Sequence, residues 1–362
     1  SLHDALPISA QGPPPAALAP AQASLRGRQC ARCHAKQYRE WETSRHRAAA
    51  SPGVLAQTEY GMAPAARRAC LACHAPLAEQ LDDAALRTDA VSCAGCHVRG
   101  WTRRGPPAVA PSLLALPGYP LVEAAVYERA DFCLPCHQLP PRDAVAGRPL
   151  LDTYREWLLG PYARRGVQCQ HCHMANREHA ALGVHDAHTV RQAVAVTASA
   201  HRTLSAVTVE VEVKNVGAAH SLPTTPTPAL WLTIELIDAR GRAIAGARAA
   251  HRIGRDVWFD GTWHERADTR IPPGESVAVA RAWADGRTAQ AAFARIALEV
   301  HPDAYYEQFY ADRLAAPADP TLTPAAAAAQ RALYRDAAAR ATASRYAIER
   351  RDVPIAPIAA PR

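Results

Sequence analysis

The sequence is poor in the large side chains that usually fill a protein core. Its 362 residues include only four Phe and two Met, and hydrophobic residues make up 49% of the chain largely because alanine is abundant. This length suits two domains, each able to bury a core of its own. Some other material must therefore fill part of the interior.

Long apolar runs are also missing. No stretch of 18 or more apolar residues occurs, so we predict no integral membrane segment in this chain. No signal peptide is recognisable, because residues 1–24 lack a basic segment followed by an apolar one. The opening residues resemble a cloning or assembly scar, and we predict a disordered or non-native leader over residues 1–25. The missing signal does not argue for the cytoplasm.

Cysteine does not occur outside one pattern. All ten cysteines fall in five copies of Cys-x-x-Cys-His. Two thiols on one tight turn add to the two vinyl groups of a haem, and the adjacent imidazole then binds the iron as its proximal ligand. We therefore predict five covalently bound c-type haems. The cysteines are Cys30, Cys33, Cys70, Cys73, Cys93, Cys96, Cys133, Cys136, Cys169 and Cys172, and the proximal ligands are His34, His74, His97, His137 and His173.

Zinc ribbons, disulfide frameworks and thioredoxin-like redox pairs also use paired cysteines. None of them requires a histidine after the second cysteine, yet histidine follows in every copy here. Five macrocycles would also replace the missing core volume. The motifs follow one another closely along the chain, which implies closely packed haems. The shortest interval, from Cys70 to Cys93, predicts that the second and third haems are the nearest neighbours.

Lysine is almost absent, since Lys36 and Lys214 are the only lysines among 41 basic residues. A formal charge of +7 often indicates nucleic acid or an anionic surface. Arginine, however, suits pairing with buried carboxylates, and haem propionates would offset much of the positive charge. We therefore predict no nucleic-acid partner.

The sixth coordination position of each iron needs a second ligand. His46 follows His34 in residues 35–47, a stretch free of Gly and Pro. If this stretch is helical, the two histidines lie about 18 Å apart along the axis, so His46 should ligate a neighbouring haem. After the last motif, His179 and His185 are the expected ligands in a histidine-rich stretch. We predict mainly bis-histidine coordination.

One distal position stays open in the sequence. His220 lies in a proline-bounded turn, where a histidine is either plain surface or a ligand presented to an adjacent domain. The residue pattern alone leaves both interpretations of His220 open. For the fifth distal ligand the candidates are His201, His188, Met62 or no residue, and the last case would leave one iron five-coordinate.

The hydrophobic pattern changes period near residue 201. Alternating β-rich segments appear at residues 203–216, 229–237, 276–284 and 292–300. We predict an α+β chain made of a mainly α or irregular pentahaem domain over residues 26–195, an antiparallel immunoglobulin-like β-sandwich over residues 196–318, and a C-terminal helix and terminal strand over residues 319–362 that pack on the β-domain. Thr323 is the expected helix cap.

Several stretches resemble a known group. The first motif, together with Tyr38, Trp41, Ser44 and His46, is similar to multihaem cytochromes related to hydroxylamine oxidoreductase and its tetrahaem electron acceptor. Further similar stretches are Cys73–Pro76, Tyr154–Trp157, Gly166–Met174 and His220–Thr224. The resemblance implies that His46 is a distal ligand, and it favours His220 as another. It also implies a C-terminal β-domain.

These features predict an electron carrier that works between redox proteins in the bacterial periplasm or outside the cell. An oxidoreductase of small nitrogen or sulfur species is the alternative, and it would use one five-coordinate haem. Five-haem nitrite reductases usually carry lysine in the catalytic motif, whereas all five motifs here end in histidine. A third hypothesis is a homo-oligomer or a subunit of a cytochrome filament. A carrier is favoured over a catalyst, and no catalytic residue is assigned.

Overall fold

The computed structural model describes residues 9–20, 22–107, 121–284 and 286–356. The chain divides into two compact units. The first unit runs up to Leu139 and adds Tyr162–Leu182 and Tyr310–Ala339. The second consists of Pro140–Pro161, Gly183–Phe309 and the residues from Arg340 onward. Helical structure comes first, a β-rich region follows and a helix lies near the C-terminus, which confirms the predicted α+β class.

The helices before the β-rich region are short. The α-helices are α1 (Gly27–Cys30), α2 (Ala35–Glu42), α3 (Pro52–Thr58), α4 (Pro64–His74), α5 (Ala84–Arg87), α6 (Cys93–His97), α7 (Leu134–His137), α8 (Thr153–Leu159), α9 (Pro161–Arg164), α10 (Cys169–His173), α11 (Ala187–Ala193), α12 (Ala304–Ala315) and α13 (Pro324–Ala343). Single turns of 3-10 helix lie at Ala78–Leu81, Ala125–Glu128, Ala130–Phe132, Pro141–Asp143, Ala175–Arg177 and Gly286–Gln290. Within the described ranges, no helix combines the length and apolar character needed to cross a membrane.

Most of the strands follow α11. The strands are β1 (Val98–Arg99), β2 (Thr102–Gly105), β3 (Leu121–Glu123), β4 (Ala144–Val145), β5 (Arg148–Pro149), β6 (Val194–Arg202), β7 (Val207–Asn215), β8 (Ala229–Ile237), β9 (Ala243–Ile253), β10 (Arg255–Phe259), β11 (Trp263–Asp268), β12 (Ser276–Trp283), β13 (Phe293–His301) and β14 (Tyr346–Pro354). The four predicted β-rich segments are confirmed as β7, β8, β12 and β13. Strand β6 also alternates in burial along its length but is not among the predicted segments. Strands β9, β10 and β11 lack a clean alternation that would reveal them from the sequence.

The second unit contains a sandwich of two antiparallel sheets. Their strand orders are β12-β7-β6 and β14-β13-β8-β9. Alternation along β7 buries its valines, such as Val209 and Val211, and exposes Glu210 between them. These valines share one hydrophobic core with Ile234 of β8 and Ile296 of β13, so the two inner faces pack against each other.

The first unit has a much smaller apolar cluster, formed by Leu18, Leu25, Leu77, Leu86, Ala94, Val98 and Trp101. Part of the predicted leader belongs to this cluster. Ser9 forms a β-bridge with Leu77, and the Trp101 indole nitrogen donates to the Gly12 carbonyl at 2.9 Å. Most of residues 9–25 therefore contribute to the folded unit, whereas residues 1–8 and 21 lie outside the described ranges.

The stretch after the first motif is not one continuous helix. Helix α2 ends at Glu42, and turns follow it. The Ser44 hydroxyl donates to the Trp41 carbonyl at 2.7 Å, a local bond that competes with the helical pattern. The 18 Å helical separation between His34 and His46 is therefore wrong, because the chain turns before it reaches His46.

The C-terminal helix begins where the sequence predicts. The Thr323 hydroxyl accepts from the Ala326 amide at 3.3 Å and caps α13. Most of α13 nevertheless groups with the first unit, where Gln330 donates to the Ala56 carbonyl at 3.0 Å. An alanine-rich helix has no strongly apolar face that would specify its partner from sequence. The terminal strand β14 pairs with β13 in the second unit.

Candidate functional site

Each Cys-x-x-Cys-His motif lies on or beside a helical turn. Three motifs coincide with α6, α7 and α10, the second ends α4, and the first follows α1. In the first motif the His34 amide donates to the Cys30 carbonyl at 2.8 Å, and in the fourth the His137 amide donates to Cys133 at 3.0 Å. One helical turn thus sets the histidine directly after the two thiols, as attachment to a macrocycle requires.

The thiols do not form the alternative cysteine structures. All ten cysteines are free of disulfide bonds. Among the residues with described positions, no three Cys, His, Asp or Glu side chains converge as a zinc ion would require. The arrangement therefore fits five separate two-thiol attachment sites better than a disulfide framework or a zinc cluster.

Thiols of different motifs contact one another. Cys30 hydrogen-bonds Cys93, and this bond together with burial raises the pKa of Cys93. Cys73 pairs in the same way with Cys136, which joins the second motif to the fourth. These contacts join the first motif to the third and the second to the fourth. That the second and third haems are the nearest neighbours stays a prediction.

The fourth motif has a further neighbour on its other side. The Cys133 thiol hydrogen-bonds Cys169 of the fifth motif, and that bond and burial raise the pKa of Cys133. Cys96 of the third motif also interacts electrostatically with Cys133 and Cys136. The fourth motif therefore contacts the second and fifth motifs and lies near Cys96 of the third.

Three proximal histidines share one hydrogen-bond pattern. The Nδ1 atom of His74 lies 2.6 Å from the Ala49 carbonyl, and that of His97 lies 2.7 Å from the Arg104 carbonyl. His173 Nδ1 lies 2.5 Å from the carbonyl of Leu182. Because a carbonyl only accepts, Nδ1 carries the hydrogen, and Nε2 is then the nitrogen with the lone pair that a metal needs.

Two pairs of histidines are spaced as ligands of one iron would be. The ring centroids of His97 and His179 are 6.1 Å apart, and those of His137 and His46 are 6.4 Å apart. Metal–imidazole bonds are about 2 Å long, and the ring centroid lies about 1 Å further out, so two axial imidazoles have centroids about 6 Å apart. The residues therefore fit a bis-histidine haem at the third and fourth motifs.

The charge state of these imidazoles also suits a metal. Burial lowers the pKa of His97 to about 4. Burial also lowers the pKa of His46 and of His179, and neighbouring histidines add to the effect. A metal ligand must be neutral imidazole, and these shifts keep the rings neutral at physiological pH.

The chain holds His179 in a strained loop. Asn176 and Arg177 have φ angles of 55° and 60°, in the left-handed region that an arginine rarely adopts. The His179 amide donates to the Glu40 carboxylate at 2.8 Å. Glu40 therefore fixes the loop of a predicted ligand, and no sequence signal indicated this role.

His185 and His220 lie in the second unit. His185 Nε2 is 3.0 Å from the Asp303 carboxylate, and His220 Nδ1 is 3.0 Å from the Ser221 carbonyl. The Glu156 carboxylate holds the His220 turn, because it accepts from the Ser221 amide at 3.0 Å and from the Thr224 hydroxyl at 2.8 Å. Glu156 lies inside the Tyr154–Trp157 stretch of the resemblance, which is the signal that could have singled it out. Both histidines stay predictions as iron ligands.

The remaining candidates have varied surroundings. His188 and His201 are exposed, and His188 contacts the Gln192 amide nitrogen at 2.9 Å. Met62 is half-buried. The fifth distal ligand therefore stays a choice among these residues or none.

Comparisons with known proteins agree with this geometry. Residues 29–98 match the model of the family "Cytochrome c554 and c-prime". The chain is similar to the crystal structure of a penta-haem cytochrome c552 from Thermochromatium tepidum, with a TM-score of 0.64 and 19% identity over 90% of this chain and 97% of that one. These comparisons support a multihaem c-type cytochrome.

Other comparisons add nothing to this assignment. The Fcho1 Mu homology domain of Danio rerio with a bound Eps15 peptide matches 30% of this chain and 38% of that one, at 11% identity and a TM-score of 0.17, which is too low to support an argument. No curated protein matches the chain. The similarity to the penta-haem cytochrome concerns the fold, and the family match covers the first three motifs.

Proposed function

We propose that this chain is a pentahaem c-type cytochrome that carries electrons between redox proteins in the periplasm or outside the cell. The centroid distances of 6.1 Å between His97 and His179 and of 6.4 Å between His137 and His46 carry this proposal. An iron with two imidazole ligands has no open position for a substrate, so its chemistry is electron transfer. The location rests on the resemblance to multihaem cytochromes.

The five motifs would hold the haems through their ten cysteines and five proximal histidines. Bound haem supplies one-electron oxidation and reduction at its iron. Backbone carbonyls orient the imidazoles of His74, His97 and His173, and burial keeps the His97 ring neutral. His46, His179, His185 and His220 are the proposed distal ligands.

The closeness of cysteines from different motifs supports a branched electron path. Cys30 of the first motif lies beside Cys93 of the third, and the fourth motif lies beside the second and the fifth through Cys136 and Cys133. We propose that the fourth haem is the junction of this path. The second unit, proposed to be immunoglobulin-like, would then serve recognition of a partner.

The haem count and the spin state of the irons test the proposal together. A pyridine haemochrome assay should give five haems per chain, and electron paramagnetic resonance should show low-spin signals for the third and fourth haems. His179→Ala and His46→Ala should each convert one low-spin haem to a high-spin one. His264→Ala, which removes a half-exposed histidine of β11 that is not a ligand candidate, is the matched control and should change neither signal.

Three outcomes would overturn parts of the proposal. Fewer than five haems would remove the pentahaem assignment. A high-spin signal in the unmodified protein that shifts with nitrite or hydroxylamine would favour the oxidoreductase of small nitrogen or sulfur species. Concentration-dependent fibres in electron micrographs would favour the filament subunit over a free carrier.

A further inference from the structure

Tyr127 lies against the third motif. It belongs to the 3-10 turn Ala125–Glu128, and its ring stacks on the His97 imidazole with centroids 5.0 Å apart and planes 6° apart. Its hydroxyl donates to the Cys96 carbonyl at 2.7 Å. One side chain therefore contacts both the backbone of a haem-attachment cysteine and the ring of the neighbouring proximal histidine.

Tyr127 is itself held in place. Its carbonyl accepts from the Gln170 side-chain amide of the fifth motif at 3.0 Å, and the same amide donates to the Arg129 carbonyl at 2.7 Å. The Phe132 ring lies 4.6 Å from the Tyr127 ring, centroid to centroid. These contacts fix the plane of the tyrosine ring between the third and fifth motifs.

We infer that Tyr127 is a positioning residue that sets the orientation and the reduction potential of the third haem through His97. The inference rests on the proposed function. The Arg104 carbonyl holds one edge of the His97 ring, and the tyrosine ring restrains its face, so together they fix its rotation about the bond to a metal. The rotation of an axial imidazole changes the magnetic signature of a low-spin iron.

The stacking also gives the effect a direction. An imidazole bound to oxidised iron carries more positive charge than one bound to reduced iron, and the face of a tyrosine ring attracts positive charge. Tyr127 therefore stabilises the oxidised form of the third haem. Loss of the ring should raise the ratio of reduced to oxidised third haem roughly two- to fivefold at a fixed potential.

The test compares three substitutions by redox titration followed with electron paramagnetic resonance. Tyr127→Leu and Tyr127→Met remove the planar ring, and Tyr127→Phe removes only the hydroxyl that binds Cys96. We expect the first two to shift one low-spin signal and its potential, and the third to preserve both. Phe259→Leu, which changes an exposed aromatic ring in β10, is the matched control and should alter nothing.

Two results would overturn the inference. In the first, the low-spin signals and reduction potentials of Tyr127→Leu and Tyr127→Met are the same as those of the unmodified protein. In the second, the signals and potentials of all the haems shift together with those of the third haem. The proposed function is tested separately, by the haem count and the low-spin signals of the unmodified protein. The role of Tyr127 can be tested only if that protein has a haem at the third motif, and the haem count of each variant shows whether the haem is retained. If Tyr127→Leu loses haem, the effect of removing the ring is read from the comparison of Tyr127→Met with Tyr127→Phe.

Discussion

The two units of this protein are stabilised in different ways. Among the described residues, the sandwich unit buries 20 hydrophobic residues in one core, whereas the principal apolar cluster of the motif-bearing unit contains seven. The motif-bearing unit nevertheless holds all five Cys-x-x-Cys-His motifs. The difference teaches that buried apolar side chains stabilise the sandwich unit, whereas the motif-bearing unit also needs the volume and the covalent links of its cofactors.

Buried arginines sharpen this comparison, because both units contain them, and Arg87 and Arg255 are the most buried arginine of each. Arg87 in the motif-bearing unit donates to the Gln80 and Leu81 carbonyls at 2.8 and 2.7 Å and pairs with Glu59. Arg255 in the sandwich unit is fully buried, pairs with Glu265 and donates to three backbone carbonyls. The same residue type thus performs the same anchoring task in two units with very different cores.

The largest expected effect follows from removing the haems. If the chain is produced without haem attachment, we expect the amides of α4, α6 and α10 to exchange as in an unfolded chain, while those of β7, β8 and β13 stay protected. The reason is that the haems supply the missing core of only one unit. Hydrogen exchange measured by mass spectrometry, with the haem-loaded protein as control, checks this. Equal protection of both units would refute the contrast.

Arg255→Ala should have the next largest effect. It leaves Glu265 and the Val145, Arg148 and Pro149 carbonyls without their buried partner, which should cost about 3–5 kcal/mol. Chemical denaturation, monitored through hydrogen exchange of the β10 amides, measures the loss of unfolding free energy.

Arg87→Ala is the counterpart in the motif-bearing unit. It should cost less in the haem-loaded protein, because the attached haems continue to hold that unit together. Arg242→Ala, at a largely exposed arginine, should leave stability unchanged. An equal loss for Arg87→Ala and Arg255→Ala would mean that the cofactors contribute little to the first unit.

A cavity in the sandwich should rank third. Ile296 of β13 is completely buried, so Ile296→Ala should lower the free energy of unfolding by about 2–5 kcal/mol. Leu204→Ala is the matched control, because Leu204 is 95% exposed. Thermal unfolding of the sandwich unit measures both variants. A negligible effect of Ile296→Ala would contradict a packing-dependent sandwich.

The smallest expected effect concerns pH. Burial alone would raise the pKa of Asp268, but hydrogen bonds from Arg270 outweigh it and lower that pKa below its ordinary value. Asp268 therefore stabilises the fold above about pH 4, and this contribution is lost as the pH falls through the lower folded-state pKa. Asp268→Asn should cost about 1.5–3 kcal/mol at pH 7.

Acidification provides the control for this last variant. The difference in unfolding free energy between Asp268→Asn and the unmodified protein should begin to shrink below about pH 4, where the carboxylate of the unfolded chain becomes protonated, and should continue to shrink until the pH falls through the lower pKa of the folded carboxylate. Denaturation series at pH 7 and pH 3 measure it. A difference that stays constant across this range would show that Asp268 contributes through shape and not through charge.

The sequence predicted those elements whose signals are local. The alternation of valine and glutamate in β7 and the Thr-Pro start of α13 both have a short-range cause, and the structure confirms both. It did not predict that the chain turns after α2, where the Trp41 indole donates to the Val91 carbonyl, because a contact with a residue 50 positions away has no signal in the local sequence.

By itself, the sequence determined the chemistry of this protein, because two thiols and an imidazole on one turn specify haem attachment within five residues. Only the tertiary structure decided which histidine faces which. His97 meets His179, and His137 meets His46, across long stretches of chain. The tertiary structure also brought cysteines of different motifs side by side, as in Cys30 with Cys93 and Cys133 with Cys169. Such pairings depend on how the loops cross in space, and the spacing of residues along the chain does not predict this.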